Sequence, residues 1–182
     1  MRYFRMVGLS VAVGLVFTAS PLDAQERVRD GLWGGVGGGV GFNLTENSEG
    51  ERLTGFSAFA RAGWALTPSW LVAGDVIGWF YSQDEVDLRR GFLGGSVLFY
   101  PSATGGFYLK GGIGGAFADV SAGVASDGTT WGLGWTLGFG YDIRLGDTFN
   151  LTLGADWLFQ DVNTFTQSNN QLAMLTLGLT FF

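Results

Sequence analysis

Three observations predict an all-β chain, an eight-stranded antiparallel up-and-down barrel that crosses a membrane with its strands. Apolar residues recur with a period of two, the pattern is found in eight segments, and short and long connections alternate between them. Period two is the mark of a strand, because successive side chains point to opposite faces. The composition agrees: 32 glycines weigh against helices, and only 14% of the residues are charged. Three prolines exclude a collagen repeat, and 15% aromatic content excludes a disordered chain.

The first 24 residues stand apart. Arg2 and Arg5 form a basic start, Val7 to Ala19 is apolar, Pro21 breaks the run, and Ala24 is a small residue before Gln25. This is the three-part pattern of a secretory signal peptide, and the apolar run is shorter than the roughly 20 residues that span a bilayer. Residues 1–24 are therefore expected to be a cleaved signal peptide and residues 25–182 the barrel domain.

The segments follow in order. Leu32 to Asn43 sets Gly35, Gly37 and Gly39 on one face and Phe42 on the other. Thr54 to Leu66 opposes Ser57 and Arg61 to Phe56 and Trp64. Trp70 to Tyr81 opposes Asp75, Ile77 and Trp79 to Trp70 and Phe80. Gly91 to Tyr100 and Phe107 to Val120 are the fourth and fifth. Trp131 to Ile143 has the cleanest pattern, with Trp131, Leu133, Trp135, Leu137, Phe139, Tyr141 and Ile143 against Gly132, Gly134, Thr136, Gly138, Gly140 and Asp142. Phe149 to Gln160 and Leu172 to Phe182 repeat it. Residues 67–69, 101–106 and 146–148 are short connections; residues 43–53, 82–90, 121–128 and 161–171 are longer and polar. Strands of about ten residues joined in this alternating way describe an outer-membrane barrel with its long loops outside.

A soluble sandwich or lipocalin-like barrel would put its apolar parity inside and a polar one in water. Here the polar parity is mostly Gly and Thr with isolated charges, whereas the apolar parity carries large aromatics near the strand ends. Trp64, Trp70, Phe99, Phe107, Tyr141, Phe149 and Phe181 fall near the short turns, and Phe42, Phe56, Phe80, Phe117, Trp131 and Phe159 near the long loops. Two aromatic belts are what the two faces of a bilayer select.

With its signal peptide, eight strands and ending LGLTFF, the chain resembles the small outer-membrane β-barrel family that includes the OmpA barrel and OmpX. The resemblance covers Leu32 to Phe182 and is specific for architecture. It implies residence in the outer membrane of a Gram-negative cell, contact with outer-membrane lipid and lipopolysaccharide, and insertion by the outer-membrane assembly machinery. The family's C-terminal assembly signal is matched by Thr176, Gly178 and Phe181, with its last hydrophobic position one residue past Phe182.

A charge on the lipid face at mid-depth costs about 2–4 kcal/mol. Keeping charges out of lipid turns Arg61, Asp75, Lys110, Asp142, Arg144 and Asp156 inward, where they are expected to form a neutral lumen ion-pair network. A hairpin centred on Pro68 sets Arg61 opposite Asp75, and one centred near Ser126 would set Lys110 against Asp142. Large inward residues (Ile77, Trp79, Tyr81, Phe92, Leu98 and Tyr100) face strands rich in inward glycine, such as Gly112, Gly114, Gly132, Gly134, Gly138 and Gly140. Either the large side chains fill the lumen or they fold aside and leave a cavity.

The chemistry expected is sparse. The chain has no Cys and no His, which removes thiol catalysis, Cys-based zinc sites and the commonest general base. The run GVGGGVG lacks the spacing of a phosphate loop. Ser57 and Ser96 point inward with no recognisable activating partner, and Asp142 with Asp156 is a remote acid–base pair. No enzyme activity, cofactor or metal is therefore expected. A net charge of −6 argues against nucleic acid as a partner, and a monomer is expected. Glu46, Glu49, Glu51, Asp84, Glu85 and Asp87 make the long connections acidic, which suits either solvation or divalent cations bridging to lipopolysaccharide. The function read from the sequence is a structural or surface-interaction barrel with a plugged interior. A narrow, porin-like passive pore or small-ligand carrier is the alternative.

Overall fold

The computed structural model describes residues 29–44, 53–83, 86–122, 125–161 and 170–182; the expected signal peptide and the loop carboxylates Glu46, Glu49, Glu51, Asp84 and Glu85 lie outside the described residues. Eight strands form a closed antiparallel barrel: β1 (Gly31–Asn43), β2 (Thr54–Thr67), β3 (Trp70–Gln83), β4 (Val86–Phe99), β5 (Phe107–Ala122), β6 (Ala125–Arg144), β7 (Phe149–Asp161) and β8 (Asn170–Phe181). Each strand pairs with its neighbour in sequence, and β1 closes against β8 from Gly34↔Phe181 to Asn43↔Leu172. Closure leaves no sheet edge, the condition for a β-structure in lipid, where an unpaired backbone group costs several kcal/mol.

The outer wall is apolar. Val36, Phe56, Val76, Leu93, Ile113, Leu133, Leu137, Leu153, Leu175 and Leu177 are all exposed large hydrophobics. The aromatics pair across strands at both ends: Trp70 with Phe99 at 4.6 Å, Phe117 with Trp131 at 5.2 Å, and Trp135 stacked on Phe159 at 3.8 Å between ring centroids. The shortest strand, β8, has 12 residues. At about 3.3 Å per residue and a tilt near 40° it covers roughly 30 Å, enough for an apolar band about 25 Å tall.

Local chemistry sets the short turns. Thr67 Oγ1 accepts from the backbone N–H of Ser69 (3.3 Å) and Trp70 (3.0 Å), closing the β2–β3 turn beside a bulge between Ala65 and Thr67. Gly31, where β1 begins, has φ of 73°, a left-handed conformation that glycine adopts without a Cβ clash.

Two long connections differ from the sequence expectation. Residues 86–90 belong to β4, and β5 and β6 run to Ala122 and from Ala125, so much of 82–90 and 121–128 is strand. Beyond the bilayer the outer face meets water, so polar residues no longer end a ladder. Asp119 pairs with Thr129 there, and Thr129 Oγ1 donates to Asp119 at 3.1 Å.

Candidate functional site in the barrel lumen

The inward parity stacks in layers. Toward the long loops lies an apolar cluster of Phe59, Ile77, Trp79, Phe92, Leu158, Leu172 and Met174. Toward the short turns lies a second, of Trp33, Ala65, Leu71, Leu98, Tyr100 and Tyr108. Between them four strands each contribute one charge to a closed ring of alternating sign. Arg61 Nε is 3.8 Å from Asp75 Oδ1, Asp75 Oδ2 accepts from Lys110 Nζ at 3.0 Å, Lys110 Nζ is 2.5 Å from Asp156 Oδ1, and Asp156 Oδ2 is 3.9 Å from Arg61 Nη2. The ring is neutral, and its side chains are at most 6% exposed.

Register explains the ring. Arg61 stands directly opposite Asp75 across the Pro68 hairpin. Lys110 stands opposite Gly138, and Gly138 opposite Asp156. The Asp156 carboxylate lies over Gly138, where a Cβ would collide with it, so glycine on β6 lets the aspartate reach the lysine two strands away. This corrects the expected Lys110–Asp142 contact: the β5–β6 hairpin closes at Ala122↔Ala125 after a bulge between Asp119 and Ser121, earlier than a turn centred on Ser126. Asp142 lies one layer toward the short turns. It accepts from Tyr100 Oη at 2.8 Å and Thr152 Oγ1 at 2.7 Å, and Thr152 shares a 2.6 Å hydroxyl contact with Thr180. Arg144, expected inside, is exposed: it ends β6, beyond the last lumen layer, and lines a small groove with Arg29, Asp147 and Asn150.

The large side chains fill the lumen rather than folding aside. They lie over glycines of neighbouring and next-nearest strands: a Cβ on Gly134 would come within 3.1 Å of Phe92, one on Gly55 within 2.9 Å of Trp79, and one on Gly178 within 2.8 Å of Phe59. Trp79 is 0% exposed, and its indole N–H donates to Gly41 O at 3.0 Å. Such size complementarity suits the narrow interior of an eight-stranded barrel.

Two arginines stand at the two mouths, and neither was singled out by its spacing. At the short-turn mouth Arg29 donates to the carbonyls of Pro68 (3.4 Å), Ala103 (3.0 Å) and Gly105, while its guanidinium carbon lies 3.6 Å from the centre of the Tyr100 ring. It thereby ties the β2–β3 turn to the β4–β5 turn. Burial pulls the Arg29 guanidinium below its ordinary value, and the nearby Tyr100 and Asp142 oppose that pull. At the long-loop mouth Arg90, on the inward parity of β4, donates from Nη1 to Asn43 Oδ1 at 3.3 Å. Ser57 and Ser96 are buried, and neither hydroxyl has a hydrogen-bond partner among the described residues. Of the assembly-signal residues, Thr176 and Gly178 face the lumen side of β8 and Phe181 the outer side.

A closed eight-strand barrel with an apolar outside and a filled inside has the architecture of a small outer-membrane β-barrel protein. Solved structures share it. The chain is similar to neisserial surface protein A, with a TM-score of 0.62 and 20% identity over 85% of this chain and 99% of that one. It is also similar to Ail, the attachment invasion locus protein of Yersinia pestis, with a TM-score of 0.57 and 13% identity over 84% of this chain and 98% of that one. No protein-family profile matches the sequence. No curated protein matches it either.

Proposed function

We propose that this chain is an integral outer-membrane barrel with a structural or surface-interaction role and no catalysis. The observation that carries the reading is the sealed lumen: a neutral ring of four buried charges held between two apolar layers. A selective channel presents a dominant sign of charge along a wetted path. A surface role is in keeping with the name of Ail, and it would fall to the long-loop end. Catalysis is disfavoured because Asp156 is committed to Lys110 and Arg61, and Asp142 to Tyr100 and Thr152. On this reading the protein reaches the outer membrane through the periplasm as a monomer. The assembly machinery takes it up through Thr176, Gly178 and Phe181, and lipopolysaccharide surrounds the outer half of the wall.

The absence of cysteine permits a clean test. Single thiols are introduced by Ser82→Cys at the long-loop end and Ser102→Cys in a short turn, both exposed positions. A membrane-impermeant maleimide added to intact cells is expected to label the first and spare the second. Labelling of neither, or of Ser102→Cys alone, would overturn the reading.

A further inference from the structure

We propose that the long-loop mouth of the lumen is an oxyanion-binding site built on Arg90, which takes a carboxylate, sulfate or phosphate group of a soluble ligand arriving from outside. The inference goes beyond the structural role proposed above and does not depend on whether the lumen conducts.

The argument begins with register. Arg89 and Arg90 are adjacent, so they point to opposite faces of β4. Arg89, on the outer face, stands directly across from Asp119. Arg90, on the inner face, has Trp79 on one side and Ala118 on the other. No carboxylate among the described residues forms an ion pair with it. Its contacts are the Asn43 amide oxygen at 3.3 Å and the face of Trp79, whose centre lies 5.8 Å from the guanidinium carbon. A guanidinium offers five donors in a planar fork matched to an oxyanion. Among the described residues Arg90 thus uses one donor on protein and keeps the rest of its fork for other partners.

The other inward arginines show how the barrel satisfies such a group. Arg61 has two carboxylates, and Arg29 has three carbonyls and a ring at 3.6 Å. A structural arginine at the outer mouth would be expected to show a similar set of partners. The position is also suited to capture. Arg90 is half-buried above the apolar layer, and Tyr81, stacked on Trp79 at 6.0 Å, is half-buried beside it. Partial desolvation strengthens a charge-assisted hydrogen bond. The ring below is neutral, and among the described residues no ion pair compensates Arg90 in the upper lumen. Its inward aim turns it away from the lipid face, which favours a soluble ligand over a lipid headgroup.

The test uses the refolded chain in zwitterionic lipid nanodiscs, with inorganic sulfate as the probe at constant ionic strength. The readout is the Arg90 side-chain Nε–H resonance, assigned by its loss in Arg90→Gln, together with the backbone amide resonances of Asn43 and Tyr81. Sulfate is expected to shift all of them saturably. Arg90→Gln is expected to weaken the backbone response about tenfold or more, the loss of a charge-assisted hydrogen bond. Arg89→Gln should leave it within about twofold, since that residue is on the other face. Arg90→Lys keeps the charge and should retain part of the affinity, which guards against a folding defect in the glutamine variant. A non-saturating response, or one equally reduced by Arg89→Gln, would overturn the site. Phosphatidylglycerol in the nanodisc, without sulfate, is expected to leave the Arg90 resonance in place; a shift equal to that from sulfate would overturn the soluble source.

Discussion

Lys110 and Asp156 project from strands that are not neighbours, yet their charged ends meet at 2.5 Å by passing over Gly138. This contact closes the ring, because Lys110 also holds Asp75 at 3.0 Å. Removing one member of a buried ion pair strands its partner and costs on the order of 3–5 kcal/mol. Lys110→Met and Asp156→Asn are each expected to lower the stability of the refolded barrel by about that amount in urea unfolding. The double variant should cost clearly less than the two combined, because the second change removes the charge that the first left unpaired. Strict additivity would show that the two residues do not interact.

Asp75 is ion-paired with both cations of the ring, and Lys110 is the nearer, hydrogen-bonded partner. Asp75→Asn is therefore expected to destabilise at least as much as Arg61→Met, about 3–5 kcal/mol by the same unfolding measurement. An unchanged urea midpoint in Asp75→Asn would remove the ring from the account of stability.

The space above the lumen glycines is filled. A Cβ on Gly41 would run into the Trp79 indole, whereas one on Gly74, on the outer wall, would meet nothing closer than 3.9 Å. Overpacking typically costs about 1–3 kcal/mol. Gly41→Ala should lose stability in that range and expose the Trp79 indole N–H to faster hydrogen exchange. Gly74→Ala should stay within about 0.5 kcal/mol.

Arg29 links two turns by three carbonyls. Arg29→Ala is expected to raise hydrogen-exchange rates in residues 100–106 by the equivalent of about 1.5–3 kcal/mol of local opening, the worth of a charged hydrogen bond. Exchange in mid-barrel β3 and β4 should hardly change. Uniform acceleration throughout the barrel would argue against a local latch.

The outer wall makes its own prediction. Leu137 is a mid-strand residue of β6, 50% exposed, flanked by Gly111 and Trp157. Leu137→Arg should cost about 2–4 kcal/mol in a bilayer, and Thr129→Arg, near the outer end of the same strand, about 0–1 kcal/mol. Equal costs measured by unfolding from lipid vesicles would contradict the depth assigned to Leu137.

Much of this fold was legible in the sequence because a barrel wall imposes a rigid period of two. Strand number and facing followed from alternation alone in β6, β7 and β8, where the outward series is nearly unbroken. The opposition of Arg61 and Asp75 was legible because a tight turn at Pro68 leaves one centre of symmetry. Lys110 was different. The β5–β6 register is centred on residue 124, two residues before Ser126, and the polar stretch between the two strands marks no turn centre, so the lysine's partner had to be seen. The strand extensions at Val86 and Ala125 were hidden for another reason: above the bilayer both faces tolerate polar residues, and the alternation fades. Arg90 was hidden with them, since a residue assigned to a loop has no face. Whether large side chains lie over glycines or aside from them depends on rotamers, which spacing does not encode.

The central claim is that the lumen is sealed. Ion conductance of refolded residues 25–182 across a planar bilayer tests it most directly, with insertion verified by the shift of the folded band on boiling. The account predicts a silent bilayer for the wild type. Stable unitary steps from the wild type, absent from boiled protein, would contradict it and make the barrel a pore.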